Sequence, residues 1–148
     1  MPLDVRLLRL GYIRYRQSKV PQEHQHNFYH AMYVLKGRGF VLLNGCLHEI
    51  SEGHVHIYHP NWSHDVWAKP TNELETLDLR FVAQTPETLE RTCSLPPFLS
   101  LQSDTQRCLK LMRDIEKEGS VREDQFWSDL ADATLVELLV HAARATSP

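Results

Sequence analysis

Apolar and polar residues alternate over short stretches of residues 5–82, and turn-forming residues interrupt the alternation at close intervals. Successive side chains of an extended chain point to opposite faces, so this pattern predicts antiparallel strands in a sandwich or barrel. The first expected strands cover residues 6–15, 29–35, 40–43 and 46–50. We expect hairpins at the glycine-rich segment 36–39 and at Asn44-Gly45, a dipeptide that tolerates the positive φ angles of a tight turn. Residues 5–82 are therefore expected to be all-β.

Two of the later strands separate apolar from polar side chains. Val55 and Ile57 alternate with His54 and His56, so we expect the apolar pair to face the core and the two histidines to face water. Residues 77–81 alternate in the same way and also have one apolar and one polar face. The same reasoning places two further histidines in turns or on the surface, His48 and His59.

Beyond the proline-rich stretch 95–97, the spacing of apolar residues changes from two to three and four, which is typical of helices. A first helix is expected to end at Gly119, and its apolar stripe consists of Cys108, Leu111, Met112 and Ile115. Ser120 and Glu123 are expected to cap a second helix. Its longer stripe consists of Trp127, Leu130, Ala131, Thr134, Leu135, Leu138, Leu139 and Ala142.

The length of this second stripe leaves two interpretations open. The stripe packs against the barrel, as most amphipathic helices do, or it forms a surface for a partner. In the second case we expect a homodimer through the C-terminal helices, with Leu135, Leu138 and Leu139 at or near the seam.

Composition restricts the function classes. The 148 residues are 42% hydrophobic and 24% charged, which is typical of one ordinary globular unit. The pattern divides them into a barrel over 1–94 and a helical segment over 95–148. No apolar run approaches the roughly 20 residues of a membrane span, and no signal peptide is recognisable, so a cytoplasmic protein without membrane contact is expected. The net charge of −3 argues against tight binding of a nucleic-acid backbone by this chain alone.

Histidine is unusually concentrated in the predicted barrel. Eight of the nine histidines lie between His24 and His64. His24, His26 and His30 share one parity, so an extended chain points all three to the same face. His64 follows a Pro-Asn turn far along the sequence and supplies a fourth ring. Because converging neutral imidazoles suit zinc, nickel, copper or iron(II), the sequence predicts a metal site at these four histidines.

Two motifs resemble those of the cupins. The first is H-x-H-x3-H-x6-G, which starts at His24 and ends at Gly37, and its third ligand is normally a glutamate. The second runs from Gly53 through Pro60 to His64, although a tryptophan stands where the motif has glycine and the span after the proline is one residue short. This shortened form, ahead of an aromatic-rich strand, is similar to the sensor domains of AraC-family transcription regulators.

The resemblance implies a mostly β chain, in which a cupin-type double-stranded β-helix, or jelly-roll barrel, is followed by two C-terminal α-helices. It also implies a small effector in the barrel, often a sugar or another small organic molecule, and dimerisation through the helices. DNA contact is expected only through a helix-turn-helix domain that this sequence does not contain. The aromatic and cationic residues expected nearest the ligand are Tyr33, Trp62, Trp67 and Arg80. No catalytic residue is expected.

Two other functions stay open. Cupin barrels with three or four histidines also include metal-dependent oxygenases and isomerases, but no carboxylate near the motifs stands out as a catalytic base. A structural or storage cupin without a small ligand is the third possibility, and the long second helix fits it less well. The sequence therefore favours a sensor over a metal-dependent enzyme.

Overall fold

Strands come first and helices last in the computed structural model, which describes residues 2–17, 24–99, 103–119 and 124–146. The strands in those ranges are β1 (Val5–Tyr15), β2 (Tyr29–Leu43), β3 (Cys46–Ser51), β4 (Val55–Tyr58), β5 (His64–Ala68), β6 (Leu74–Ala83) and β7 (Phe98–Leu99). The helices are α1 (Pro86–Thr92), α2 (Ser103–Gly119) and α3 (Gln125–Thr146). The short helix α1 was not expected, and Thr85 caps it by accepting a hydrogen bond from the Thr88 N–H. The predicted caps Ser120 and Glu123 lie outside the described residues.

β2 is the strand to which the rest of the sheet attaches. Its N-terminal half lies between β4 and β6, and its C-terminal half lies between β3 and β5, with every pairing antiparallel. β1 extends the sheet beyond β6, and β7 extends it beyond β4. The predicted Asn44-Gly45 hairpin is confirmed between β2 and β3, with φ angles of 48° and 82°. One long strand shared by two sheets allows the chain to close into a barrel.

The hairpin predicted at 36–39 is wrong, because β2 runs through this segment without turning back. Its glycines permit close backbone approach instead. A side chain at Gly37 or Gly39 would overlap the carbonyl oxygens of Glu73 and Trp67, respectively. Gly37 also has a φ of 89°, a conformation that side chains disfavour. Together with a register irregularity just before this segment, the glycines let β2 bend from one sheet into the other.

The two faces of the first sheet belong to two different cores. Ala31, Ile57 and Leu79 lie on the outer face and pack in a core that includes residues of α2 and α3. Met32 and Tyr58 lie on the opposite face of the same strands and belong to a second core inside the barrel. Both faces of these strands are therefore buried, one against helices and the other against the barrel interior.

This arrangement overturns two predictions about single histidines. The apolar residues beside His56 do face a core, as expected, but His56 is fully buried as well, because the barrel interior lies on its side of the strand. His59, expected in a turn or on the surface, is also buried, and its Nε2–H donates to the Leu95 carbonyl oxygen at 2.7 Å. His54 is exposed as predicted, and His48 is half-buried.

The helices α2 and α3 cover the outer face of the first sheet. Leu135, Leu138 and Leu139 are 0%, 2% and 1% exposed within a single chain, which supports the packing interpretation of the long stripe. Their expected position at a dimer seam is wrong, because the core of their own chain buries them. Two other members of the predicted stripes, Leu111 and Leu130, are 40% and 49% exposed. Within the described ranges, no helix is long and apolar enough to cross a membrane.

Candidate functional site

Four imidazole rings meet at the barrel, and we call His24, His26, His30 and His64 the histidine cluster. His30 and His64 are buried, His26 is half-buried and His24 is exposed. His24 and His64 form a two-way backbone bridge, with both N···O distances at 3.0 Å. The ring centre of His64 lies 4.4 Å from that of His24, 5.2 Å from that of His26 and 5.6 Å from that of His30. The structure therefore brings together the four residues that the sequence selected.

The ring of His64 is held with one nitrogen available. Its Nδ1–H donates to the carbonyl oxygen of Trp62 at 3.1 Å, so the lone pair of a neutral ring lies on Nε2. That Nε2 is buried and has no hydrogen-bond partner among the described residues. Burial lowers the pKa of His64 to about 4, an effect larger than the opposing one of the hydrogen bond to Trp62. His64 is therefore neutral at neutral pH, as a metal ligand must be.

His30 is oriented by a buried carboxylate. Its Nε2 lies 2.6 Å from Oδ2 of Asp78, which also accepts a hydrogen bond from the Tyr15 hydroxyl at 3.1 Å, while Thr76 donates to the other carboxylate oxygen. When Nε2–H donates to Asp78, the free lone pair of the neutral ring lies on Nδ1, a buried atom without a partner in the described ranges. Asp78 comes from the polar face of residues 77–81, which lines the barrel interior.

His26 closes the cluster on the side of Arg80. Burial is the largest cause that lowers the pKa of His26, and the charges of His24, His30 and Arg80 act in the same direction. His26 stacks on Phe28 at 4.6 Å between ring centres, and the Arg80 guanidinium lies 5.6 Å from the centre of the Phe28 ring. The cluster thus has a cationic neighbour, which suits an anionic or hydroxyl-bearing molecule.

Two of the four predicted ligand-binding residues lie beside the cluster and two do not. Arg80 pairs with His30 across β6 and β2, and the Trp62 carbonyl orients His64. Tyr33 packs in the core shared with the helices, on the face of β2 opposite to His30. Trp67 alternates with the inward residues of β5 and contacts Phe40 at 5.8 Å between ring centres.

The donor set of the histidine cluster fits a divalent transition metal. The ligating nitrogens of His24, His26 and His64 all lie within 4.8 Å of one another. Zn–N bonds measure about 2.0–2.1 Å, so small ring movements would bring three nitrogens to one ion. A buried imidazole nitrogen that lacks a partner costs free energy, and coordination would remove that cost at His64. With three imidazoles, a fourth position would stay open for water or another molecule.

A cavity of about 470 Å³ opens at the edge of the barrel between β3, β4 and β7, and we call it the side cavity. Its lining includes His48, Glu49, His54, His56 and Phe98. The sequence interpretation missed this site because it treated the histidines of this region as surface groups. The sequence did contain a sign of this site, because histidine recurs on polar strand faces. In a barrel, a polar strand face can point to the interior as well as to water.

Tyr58 connects the side cavity with the histidine cluster. Its hydroxyl lies 3.1 Å from Nδ1 of His56, and its ring stacks on His64 with 4.8 Å between centres. Burial lowers the pKa of His56 to about 3, and burial together with the charge of Asp78 raises the pKa of Tyr58 above its usual range. Both groups are therefore neutral near neutral pH, so the contact is a hydrogen bond between uncharged groups.

Comparisons with known proteins bear on fold and family. The sequence model of the AraC-like ligand binding domain matches residues 8–139. A cupin protein from Bacteroides fragilis is 19% identical, and the match covers 52% of this chain and 66% of that protein with a TM-score of 0.46. A predicted oxalate decarboxylase from Thermotoga maritima is 20% identical, and the match covers 52% of this chain and 68% of that protein with a TM-score of 0.48. No match was found among curated proteins.

The expected architecture is confirmed, since antiparallel strands of a cupin-type barrel are followed by two C-terminal helices. This chain spans just under two thirds of the Bacteroides fragilis protein. The family match covers much more of this chain. Residues 8–139 include all seven strands except the start of β1, all of α2 and most of α3. The chain belongs to the AraC-like ligand-binding domain family.

Proposed function

We propose that this chain senses a small effector for a transcription regulator in the cytoplasm. The observation that carries the proposal is the contact through Tyr58, which connects the side cavity with His64 of the histidine cluster. A molecule in the cavity would lie against Phe98, whose ring centre is 4.9 Å from that of His56, and so act on residues that contact the cluster. We assign sensing to the barrel over 1–94 and output to the helical segment over 95–148.

The lining of the side cavity favours a small hydroxylated molecule of sugar-like size. The rings of His48 and Phe98 lie 4.9 Å apart and offer surfaces for the apolar face of such a molecule. Glu49 can accept a hydrogen bond from a hydroxyl group, and Nε2 of His56 has no partner within the described chain. The volume of about 470 Å³ lies inside the range of roughly 300–1,000 Å³ found for small-molecule sites.

A divalent transition metal in the histidine cluster is the second part of the proposal. His24, His26 and His64 would hold the ion, with His30 next to them. When bound, the ion supplies a Lewis acid that can polarise an oxygen of a bound molecule. The chain itself fixes the ring of His64 through the Trp62 carbonyl and that of His30 through Asp78. Arg80 and Trp62 are retained as ligand-binding residues on this side of the site.

The short strand β7 would transmit effector binding from the side cavity to the helices. Phe98 and Leu99 both line the side cavity, and Leu99 also packs in the core that includes α2 and α3. Among the described residues, β7 pairs two of its residues with β4, and the Ile57 N–H donates to the Pro97 carbonyl oxygen just before it. An effector that displaces Phe98 would therefore move Leu99 and change helix packing, which couples the site to a distant surface.

The proposed function also involves two partners, DNA and a second copy of this chain. We assign DNA contact to a separate helix-turn-helix domain, since the net charge of −3 does not favour binding of a phosphate backbone. A homodimer through the C-terminal helices is the expected assembly. Phe126 and Leu130 lie four residues apart on α3 and are 83% and 49% exposed, so they replace the three buried leucines as the apolar residues available for pairing.

The effector proposal is tested by calorimetric titration with a panel of monosaccharides and small hydroxy acids. We expect at least one compound to bind, and His56→Ala to weaken that binding about tenfold or more through loss of a buried polar contact. Trp67→Phe, on the outer face of β5, is the matched control and should bind normally. Binding that is equal in wild type and His56→Ala would show that the side cavity is not the effector site.

A metal-dependent oxygenase or isomerase is the alternative, because three histidines leave an open coordination position. Incubation with iron(II), oxygen and the compounds of the same panel distinguishes the two functions. Turnover that requires the metal and is lost in His64→Ala would favour the enzyme. Binding without turnover would favour the sensor.

A further inference from the structure

Two helix faces bring four metal-ligating side chains together where α2 meets α3, away from the barrel. Asp104 and Cys108 are four residues apart on α2, and Glu137 and His141 are four residues apart on α3. Side chains at positions i and i+4 lie one above the other on the same helix face. The ligating atoms of Cys108, Glu137 and His141 lie within 4.8 Å of one another, and Oδ2 of Asp104 lies 3.7 Å from Nδ1 of His141.

We propose that Asp104, Cys108, Glu137 and His141, which we call the helix-pair cluster, bind a divalent metal of the zinc type that joins α2 to α3. Thiolate, imidazole and carboxylate are the groups that zinc prefers, at about 2.0–2.3 Å and in tetrahedral geometry. Cys108 is buried, whereas Asp104 is exposed. An ion at this position would sit at the edge of the core with access from solvent.

The guanidinium group of Arg107 lies within this cluster, and a bound ion would have to displace it. Its Nη2 donates to Oε1 of Glu137 at 2.7 Å and lies 3.4 Å from Nε2 of His141. Half of its side chain is exposed, so the guanidinium can turn into water at little cost, as expected for a surface ion pair. With Cys108 as a thiolate, the cluster has three negative groups, and a divalent ion together with Arg107 balances them.

Two other roles for Cys108 fit the surroundings less well. A nucleophilic cysteine needs an accessible sulfur and a lowered pKa, but Cys108 is fully buried and burial raises the pKa of its thiol. A cysteine that only fills the core does not require a carboxylate and an imidazole beside its sulfur, each placed by the i, i+4 spacing of its helix. Ion pairs join Asp104, Glu137 and His141 without the sulfur, whereas a bound metal would engage all four side chains.

The test is a Co²⁺ titration of the full chain, followed by absorption. We use a His24→Ala/His26→Ala background to weaken the histidine cluster. A cobalt–thiolate bond gives a near-ultraviolet charge-transfer band that histidine ligands alone do not give, so the band reports the helix-pair cluster separately from the barrel. We expect the band in this background, its loss in Cys108→Ala, and an affinity at least about tenfold lower in His141→Ala.

Matched controls exclude the exposed thiols and misfolding. Cys46 and Cys93 are exposed, and replacing both with Ala should leave the band unchanged. The His141 side chain is 19% exposed at the edge of the core, whereas Cys108 is fully buried, so His141→Ala tests the site even if Cys108→Ala folds poorly. Zn²⁺ should also raise the unfolding temperature of the background protein and not that of His141→Ala. Absence of the band, its survival in Cys108→Ala, or equal affinity in His141→Ala would overturn the proposal.

Discussion

The phenol ring of Tyr58 lies nearly parallel to the imidazole of His64, with 4.8 Å between ring centres and 25° between planes. Tyr58 also reaches His56 at the wall of the side cavity through its hydroxyl group. One side chain thus contacts both parts of the proposed site. Because its ring and its hydroxyl group have different partners, the two contacts can be separated by mutation.

Tyr58→Phe removes the hydroxyl group and keeps the ring on His64. We expect a loss of about 1–2 kcal/mol in the free energy of unfolding, because Nδ1 of His56 loses a buried partner. Urea unfolding measures the change. Tyr33→Phe is the matched control, since Tyr33 faces the other core, and it should cost less than about 0.5 kcal/mol. Equal losses in the two variants would contradict the role assigned to the hydroxyl group.

Metal affinity should divide the barrel histidines into two groups. His26→Ala and His64→Ala each remove a ring of the histidine cluster and should weaken Zn²⁺ binding by about tenfold or more. His54→Ala removes a ring that lies outside the cluster and should leave that affinity nearly unchanged. Competition of Zn²⁺ with a chromophoric chelator measures all three variants. Similar losses in all of them would mean that the cluster is not the binding site.

Stability should fall with acid partly because of His56. Burial holds the pKa of folded His56 at about 3, whereas an unfolded histidine titrates near 6.5. Between those values the unfolded chain binds a proton that the folded chain does not, so this group destabilises the fold as pH falls, by up to about 1.4 kcal/mol for each pH unit. Its contribution is fully retained above pH 6.5 and is lost progressively towards pH 3.

His56→Gln should therefore flatten the dependence of the free energy of unfolding on pH between about 6 and 4. Glutamine does not titrate, and its amide can still bond to the Tyr58 hydroxyl. Denaturant unfolding at several pH values measures the slope for wild type and variant. Identical slopes would show that His56 is accessible to protons in the folded chain.

The alternation of residues was sufficient to predict antiparallel strands and the shared face of His24, His26 and His30. Turn residues predicted the Asn44-Gly45 hairpin and the arrival of His64 after the Pro-Asn turn. The alternation could not predict which polar faces point into a barrel, because His54 and His56 have the same parity. His54 lies in the turn before β4 and contacts Ser51, whereas His56 lies within β4 opposite Phe98 of β7. Gly37 and Gly39 led to the wrong prediction of a hairpin at 36–39 for a related reason. Glycine permits both a turn and a close strand approach, and only the neighbouring backbone decides between them.

The helices supply the last prediction, which contrasts two leucines on α3. Leu138 is 2% exposed and Leu130 is 49% exposed, so only Leu130 is available to a partner. Leu138→Glu places a charge in the core and should destabilise the fold severely, by several kcal/mol. Leu130→Glu should leave the unfolding temperature nearly unchanged and shift a dimer towards monomer. Sedimentation measures the assembly, and thermal unfolding measures the fold. A Leu130→Glu variant that dimerises as wild type does would place the dimer interface elsewhere on the chain, because a carboxylate introduced into an apolar seam loses its hydration without gaining a partner.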